Sequence, residues 1–312
     1  MTNLSDKKIV LRAPAKINLH LEVLGKRRDG FHELAMLMQS IDLSDYLEIE
    51  NNNLNQITLN SNSKELELNE NNLIIKAGNL LKEFAGNNKL GADIFLKKNI
   101  PIGAGLAGGS SDAAATLVGL NKLWNLNLNS KIIHNLASKL GSDVPFCING
   151  GLQYCFGRGE ILKKYNLDPK LTLILLKNPN VSISTSEIYK KYSDKFCDSF
   201  LKKEIDFEYR RKDLELKDFS KNNILINGIN IRNDLQKIVQ NENKSVNQAL
   251  EILSNMKKSL CSSMSGSGPS CFALFDNCKN AELTYQTNKE LFNKYGFNSW
   301  ICNFINDGIT FI

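Results

Sequence analysis

The sequence has few of the residues from which metal sites and disulfide frameworks are built. Among its 312 residues are three histidines, His20, His32 and His134, and seven cysteines, an odd number with no Cys-x-x-Cys pair. Structural zinc sites and disulfide scaffolds need such residues at short, regular spacings. The composition therefore predicts reduced thiols and no metal centre built from protein side chains.

The sequence also has no segment with the hydrophobicity of a membrane span or a secretory signal. No stretch approaches the roughly 18 uninterrupted apolar residues of a membrane span. The opening residues, MTNLSDKKIVLRAPAK, hold no apolar core of signal-peptide length. We therefore expect a cytoplasmic protein that does not bind a membrane.

A dense basic stripe of the kind that binds nucleic acid is absent as well. The net charge is only +6, and the charged stretch EYRRKDLELKDFSK mixes both signs, which is typical of a solvated surface. A mild positive charge favours an anionic small molecule as the substrate. We expect no nucleic-acid partner, and a chain that acts as a monomer or a weak homodimer.

The length and apolar content that are present suffice for two domains. The sequence is 42% hydrophobic, and chains of this length usually divide into more than one core. The predicted boundary is the loop around residues 166–170, which contains Pro169. The expected domains are therefore residues 1–166 and residues 167–312.

The first long pattern predicts a β-strand. From Leu11 to Val23 apolar residues occupy every odd position, which is the period of two that strands have. Lys16, Asn18 and His20 fall together on the opposite, polar face. That face is either a surface open to solvent or the wall of a cleft, and the strand pattern leaves both open.

Other elements are predicted by periodicity and by Gly or Pro punctuation. Helices are expected in NNLIIKAGNLLKEFAG, SKIIHNLASKLG and SVNQALEILSNMKK. Strands are expected in GADIFLKKNI, GLQYCFG, KLTLILLKN and GSGPSCFALF, with short ones in QITLN and ELELN. Ala113, Leu117, Leu120 and Trp124 recur at helical spacing, which predicts an amphipathic helix after a glycine-rich segment.

That glycine-rich segment, PIGAGLAGGSSDAAATL at residues 101–117, lacks what two common phosphate loops need. A Walker A loop requires a lysine that reaches the outer phosphates, and Gly109 stands in its place. A dinucleotide-binding loop requires an acidic residue about 20 positions on. No Asp or Glu lies between Asp112 and Asp143, so both interpretations are rejected.

The general chemistry of a phosphate cradle remains. Small residues let backbone N–H groups approach phosphate oxygens, and the helix that follows directs its positive end at them. Ser110 and Ser111 can add hydroxyl donors or bind a magnesium ion that bridges phosphates. The alternative is an ordinary turn with Ser111 or Asp112 as the helix cap.

Three segments together resemble the GHMP kinase superfamily. They are APAKINLHLEVLGKRRDGFHEL near the start, PIGAGLAGGSSDAAA, and SSMSGSGPSCFALF near the end, and they span residues 13–275. The resemblance implies an α+β, two-domain GHMP kinase fold, with a ribosomal-protein-S5-like, ATP-binding N-terminal domain and a ferredoxin-like C-terminal domain. It also implies an active site in the cleft between them, with ATP as co-substrate and Mg²⁺.

The resemblance assigns roles to individual residues. Asp143 of GSDVPF would be the catalytic base, with Lys16 as its catalytic partner, although an N-cap also explains an Asp at a helix start. Asn18 would bind the substrate. Asn72 would contact adenine, or cap a helix. The implied ATP site consists of Asn72 and the loop residues Pro101, Ile102, Gly103, Ala104, Gly105, Leu106, Ala107, Gly108, Gly109, Ser110 and Ser111.

The segment DGFHEL resembles the part of one GHMP branch that recognises a cytosine ring. Phe31 would stack on the base, His32 would bond its edge, and Tyr189 would close the stack from the other side. The turn SGSGPS, residues 265–270, would face the phosphates. The expected activity is transfer of a phosphoryl group from ATP to a small molecule that carries cytidine. Residues 190–221 are expected to form a mobile, solvated region.

Overall fold

The computed structural model describes residues 8–165, 170–217 and 231–312. The predicted domain boundary at residues 166/167 lies outside the described residues. Two β-sheets organise the described chain, one of eight strands and one of four. No helix in these three ranges is long and apolar enough to cross a membrane.

The larger sheet is built on two long antiparallel strands, β1 (Ile9–Lys26) and β2 (His32–Asn51). Its other strands are β3 (Ile57–Ser61), β4 (Ala92–Lys97), β5 (Leu152–Gly157), β6 (Ile161–Lys164), β8 (Arg232–Asn233) and β12 (Thr310–Phe311). The main strand order is β12-β1-β2-β4-β3, while β5 pairs with β2 and β8 pairs with β1. Because β8 and β12 lie beyond the predicted boundary, the chain returns twice to the sheet with which it begins.

Strand β1 confirms the strand predicted for residues 11–23, but its apolar side chains do not share one face. One set lies in the larger core, which includes the helices: Leu11, Ala13, Leu21 and Val23. The other set lies in the smaller core between the two sheets: Ala15, Ile17 and Leu19. The pairing with β2 shifts register after Pro14 and again after Asn18. Such irregularities turn the following side chains to the other face of a strand.

The same irregularities separate the three polar residues that the sequence placed on one face. Lys16 and Asn18 line a cavity of about 1110 Å³, and Leu21 lines it too. His20 lines a different cavity of about 540 Å³, so the prediction of one continuous polar face is wrong. All three side chains are buried, which favours the cleft interpretation of Lys16 and Asn18 over a solvent-facing strand.

Four helices follow the first strands, and the first, second and fourth of them contact the larger sheet. They are α1 (Leu73–Phe84), α2 (Gly108–Leu123), α3 (Ser130–Leu140) and α4 (Val144–Asn149). Helix α2 contacts the other three helices as well as β1 and β2. Every residue in the range 111–117 is therefore buried, and the prediction of an amphipathic helix with a solvated side is wrong there. Small alanine side chains suit this central position because they allow close packing.

Residues 190–217 contain helices, so the prediction that residues 190–221 form a mobile, solvated region is wrong for this part. The elements are α5 (Thr185–Phe196), a short 3₁₀ turn (Cys197–Ser199) and α6 (Glu204–Glu215). Phe207 and Leu214 of α6 are buried. Their burial anchors a helix that the charge pattern alone assigned to solvent; residues 218–221 lie outside the described residues.

The smaller sheet is antiparallel, with the strand order β11-β7-β10-β9. Its strands are β7 (Thr172–Lys177), β9 (Cys261–Met264), β10 (Cys271–Phe275) and β11 (Asn298–Asn303). The accompanying helices are α7 (Gln236–Glu242), α8 (Lys244–Ser254) and α9 (Cys278–Lys294). The predicted strands β7 and β10 and the predicted helix α8 are confirmed. ELELN, by contrast, forms no strand among the described residues.

Candidate active site

A cavity of about 1110 Å³ collects the residues that the sequence singled out from distant segments. All predicted catalytic and substrate-binding residues line it: Lys16, Asn18, Phe31, His32, Asp143 and Tyr189. The predicted ATP residues line it too, with two exceptions, Leu106 and Ser111. The cavity also has lining residues that the sequence did not single out for it, including Lys98, Asp112 and Arg158.

The phosphate loop connects β4 to the first turn of α2. Its backbone turns through left-handed conformations at Gly105 (φ +74°) and Ala107 (φ +57°). A Cβ on Gly105 would lie 2.3 Å from the carbonyl oxygen of Ser265, so a larger residue does not fit. The hydroxyl of Ser265 donates to the Gly105 carbonyl oxygen at 3.0 Å. The turn at residues 265–270 therefore packs directly on the loop, as one side of the same site.

The two loop residues that do not line the cavity have structural contacts instead. The Ser111 hydroxyl donates to the carbonyl oxygen of Pro14 at 2.8 Å, and Ser111 is completely buried. The carbonyl oxygen of Leu106 accepts from the Lys16 backbone N–H at 3.0 Å. These bonds fix the loop against β1. The N-cap position of α2 is Ala107, with no side-chain capping bond, so the alternative of a cap by Ser111 or Asp112 is wrong.

The predicted catalytic pair meets in the lining of the cavity. Lys16 Nζ lies 3.3 Å from Asp143 Oδ2 and donates to Asn18 Oδ1 at 2.7 Å. Asp143 occupies the N-cap position of α4, yet its side chain makes no capping bond. The carboxylate instead faces the Lys16 ammonium. The N-cap alternative therefore explains the position of Asp143 but not the direction of its carboxylate.

A buried ion triad lies beneath the phosphate loop, and the sequence analysis missed it. Lys98 Nζ donates to Asp45 Oδ2 and, at 2.9 Å, to Asp112 Oδ2. The side chains of Lys98 and Asp112 are only 6% and 4% exposed. Burial raises the pKa of Asp112, although the Lys98 ammonium acts in the opposite direction. Since Lys98 precedes the loop and Asp112 follows it, their ion pair joins the two ends of the loop.

One part of the cavity lining is aromatic. The rings of His32 and Tyr189 are stacked, with centroids 5.1 Å apart and planes 26° apart, and His32 Nε2 lies 2.6 Å from Ser193 Oγ. Burial lowers the pKa of His32, and the positive charge of Lys26 adds to this effect, so the ring is neutral at physiological pH. Phe31 is 52% exposed. The structure thus brings all three predicted aromatic residues to the lining of one cavity.

Asn72 has the helix-cap contacts that the sequence offered as its alternative role. Its Oδ1 accepts from the Ile74 backbone N–H at 2.9 Å, and its Nδ2 donates to the Glu67 carbonyl oxygen at 2.7 Å. Asn72 also lines the cavity. The cap fixes the start of α1 at the edge of the site, and adenine contact by Asn72 stays a prediction.

Two further buried carboxylates attach α6 to the larger sheet. Glu22 of β1 accepts from Arg210 at 2.5 Å and from Arg232 at 2.7 Å. Glu33 of β2 accepts from Arg211 and, at 2.8 Å, from Arg27. Glu33 directly follows the aromatic segment at residues 31–32. The mixed charges of α6 thus hold a helix beside the site, which sequence periodicity did not indicate.

The whole chain has close relatives. GHMP kinases N terminal domain matches residues 72–151, and GHMP kinases C terminal matches residues 211–294. The chain is 57% identical over 312 residues, all of both chains, to 4-diphosphocytidyl-2-C-methyl-D-erythritol kinase of Prochlorococcus marinus subsp. pastoris. It belongs to the GHMP kinase family. An enzyme of the same name from Prochlorococcus marinus strain MIT 9515 is 56% identical to this GHMP kinase over the full length of both chains.

Solved structures agree with the fold of this GHMP kinase. A 4-(cytidine 5'-diphospho)-2C-methyl-D-erythritol kinase matches with a TM-score of 0.70 at 27% identity, covering 95% of this chain and 98% of that one. A homoserine kinase from Cytophaga hutchinsonii matches with a TM-score of 0.67 at 17% identity, covering 99% and 98%. The predicted α+β GHMP kinase fold is confirmed, and membership of a kinase family implies ATP as the co-substrate.

Proposed function

We propose that this GHMP kinase transfers the γ-phosphoryl group of ATP to the 2-hydroxyl of 4-diphosphocytidyl-2-C-methyl-D-erythritol, a step of non-mevalonate isoprenoid precursor synthesis. One observation carries the proposal: a single cavity is lined by a phosphate loop, by an aromatic cluster and by the contacting pair Lys16 and Asp143. A nucleotide-linked alcohol needs a flat surface on which its nucleobase can stack, and a proton acceptor for its hydroxyl. Relatives with this name at 57% and 56% identity support the assignment.

The catalytic pair suits phosphoryl transfer, in which positioning and charge stabilisation contribute most. Asp143 would accept the proton of the substrate hydroxyl as its oxygen attacks phosphorus. Lys16 would hold the Asp143 carboxylate in place before the reaction and then stabilise charge on the transferring group. Asn18 holds the Lys16 ammonium at 2.7 Å, so it positions the pair as well as facing the substrate.

The site also has oxygen donors that fit Mg²⁺. The Ser110 side chain lines the cavity, and so does Asp112, whose Oδ1 is buried without a hydrogen-bond partner. Magnesium in kinases usually has one or two protein oxygens and completes its shell with phosphate oxygens and water. Ser110 and Asp112 would therefore hold the ion, which would neutralise phosphate charge when bound. The described residues contain no cluster of three His, Cys, Asp or Glu side chains that could hold a metal by itself.

The test is a kinase assay with purified protein, ATP and 4-diphosphocytidyl-2-C-methyl-D-erythritol, in which ADP release is measured. Homoserine and mevalonate serve as alternative acceptors. We expect turnover with the cytidine compound alone. Absence of ADP release with it, or equal turnover with the other alcohols, would refute the proposed function.

The roles of the pair are tested with Asp143→Asn and Lys16→Ala. Loss of a positioned general base typically lowers the rate by about 10²- to 10⁴-fold, and we expect kcat to fall in that range for Asp143→Asn. Lys16→Ala should also lower kcat strongly, because it removes the ammonium that contacts Asp143 and that would stabilise charge on the transferring group. The matched control is Asp198→Asn, an exposed carboxylate outside the cavity. Near-normal turnover by both catalytic variants would disprove the assigned roles.

A further inference from the structure

One side chain in the aromatic part of the cavity lining has no role in the proposed chemistry. Arg158, in the turn between β5 and β6, places its guanidinium carbon 4.9 Å from the centroid of the Phe31 ring. We propose that Arg158 is a positioning residue for base recognition, which holds the Phe31 ring in the orientation that stacks on the pyrimidine of the substrate. This inference rests on the proposed function, because it concerns the base end of the same substrate.

The guanidinium itself is held in place by a neighbouring carboxylate, that of Glu160. The backbone N–H of Arg158 donates to Glu160 Oε2 at 2.7 Å, and Arg158 Nε lies 3.6 Å from Glu160 Oε1. Only 28% of the Arg158 side chain is exposed. Glu160 therefore reduces the freedom of the guanidinium, and an immobilised cation is the kind that can orient a ring.

Phe31, by contrast, lies on a turn with little other support for its ring. Its backbone N–H donates to Asp29 Oδ1 at 3.1 Å, which fixes the backbone, but about half of the residue is exposed. The face of an aromatic ring attracts a cation. A ring covered on one face by a guanidinium has its opposite face free for a base, so the contact orients the ring without using the stacking surface.

The other predicted stacking partner is already engaged in the structure. Tyr189 stacks on His32, and His32 Nε2 contacts Ser193. These two rings form one rigid wall of the aromatic part. Phe31 is the exposed ring among the three, so its orientation decides whether a base can be held between the two sides.

Arginine over an exposed ring is the expected pairing because the guanidinium is planar and can lie flat on the ring. A lysine would keep the positive charge but has no planar group that could lie flat on the ring. A cation–π contact at an exposed site contributes a modest interaction energy. We therefore expect its removal to lower the affinity for the nucleobase about three- to fivefold. The loss should be confined to the cytidine-containing ligand, since Arg158 acts through the Phe31 ring.

The experiment measures cytidine diphosphate affinity by calorimetry, and KM for ATP and for the alcohol substrate by kinase assay. The variants are Arg158→Met, which keeps the apolar stem, Arg158→Lys, Phe31→Leu, and the double variant Arg158→Met/Phe31→Leu. Arg158→Met should weaken cytidine diphosphate binding and raise KM for the alcohol about three- to fivefold, with KM for ATP unchanged. Arg158→Lys should restore part of the affinity. In the Phe31→Leu background Arg158→Met should have no further effect.

The matched control is Arg28→Met, which removes an exposed arginine from the turn that carries Phe31 but outside the cavity lining. Tighter binding by Arg158→Met would mean that the guanidinium occupies the stacking face itself, and it would overturn the inference. An undiminished effect in the Phe31→Leu background would overturn it too, because Arg158 would then act on the ligand directly. If the unaltered protein binds cytidine diphosphate but phosphorylates no alcohol, the proposed function fails while the coupling between Arg158 and Phe31 is still measured.

Discussion

Replacing Lys98 by methionine tests whether the ion triad beneath the phosphate loop holds that loop in place. The substitution keeps the length of the apolar stem and removes the ammonium that Asp45 and Asp112 share. Both carboxylates are almost completely buried. They would therefore remain in a region of low polarity without their common cation.

The expected magnitude follows from the remaining contacts. Removal of one partner of a buried ion pair costs about 3–5 kcal/mol. Asp45 would keep two backbone donors, the N–H groups of Asn99 at 2.6 Å and Ile100 at 2.8 Å. Asp112 would be able to take up a proton, since burial already raises its pKa. We therefore expect a loss near the lower end, about 3 kcal/mol in the free energy of unfolding.

Urea titration of Lys98→Met beside Lys97→Met measures this difference. Lys97 is the neighbouring, exposed lysine, and its replacement should change the free energy of unfolding by less than about 0.5 kcal/mol. Since the Lys98–Asp112 pair joins the ends of the loop, KM for ATP should rise in Lys98→Met while KM for the alcohol stays the same. A loss below about 1 kcal/mol with an unaltered KM for ATP would refute the view that the triad holds the loop.

Two further predictions concern the loop and the buried carboxylates. Gly105→Ala should raise KM for ATP and destabilise the protein by at least about 1–2 kcal/mol in thermal unfolding, because alanine is strained at a left-handed position and its Cβ would meet Ser265. Gly86→Ala has the same left-handed strain (φ +62°) but open space around it, so it is the control for the clash with Ser265. Burial opposes ionisation of Glu22, yet His20 and Arg210 lower its pKa to about 2. The stabilisation that ionised Glu22 gives the folded state is therefore fully present above about pH 4.3, the ordinary pKa of a glutamate. It is lost as the pH falls towards 2. Acid unfolding followed by circular dichroism should show that Glu22→Gln loses less stability across this pH window than the unaltered protein. An equal loss in both proteins would contradict the role given to Glu22.

The parts of the site that the sequence predicts are those carried by short, continuous patterns. The phosphate loop lies within one segment, and its small residues specify both the backbone turn and the close approach of Ser265. Lys16 and Asp143 came from the resemblance to a family, since neither a lysine in a strand nor an aspartate at a helix start is distinctive. The 3.3 Å contact between them needed the three-dimensional structure.

The contacts that the sequence did not predict join residues far apart in the chain. Lys98 and Asp45 are 53 positions apart, and Arg210 and Glu22 are 188 apart. A mixed-charge helix looks the same in sequence whether its arginines face solvent or a buried carboxylate. The predicted polar face of β1 failed for a related reason, because the register shifts are set by pairing with β2 and not by the alternation within β1.

Strand β12 has a consequence for how the protein is made. Leu11 and Arg12 of β1 pair with Phe311 and Thr310, so the sheet that starts the fold is finished by residues that the ribosome adds much later. Pairing between such distant residues is slow to form. During synthesis the outer edge of β1 therefore stays open, with unpaired backbone groups that other chains can reach. Until Thr310 and Phe311 have been synthesised, molecules around the nascent chain would have to protect that edge.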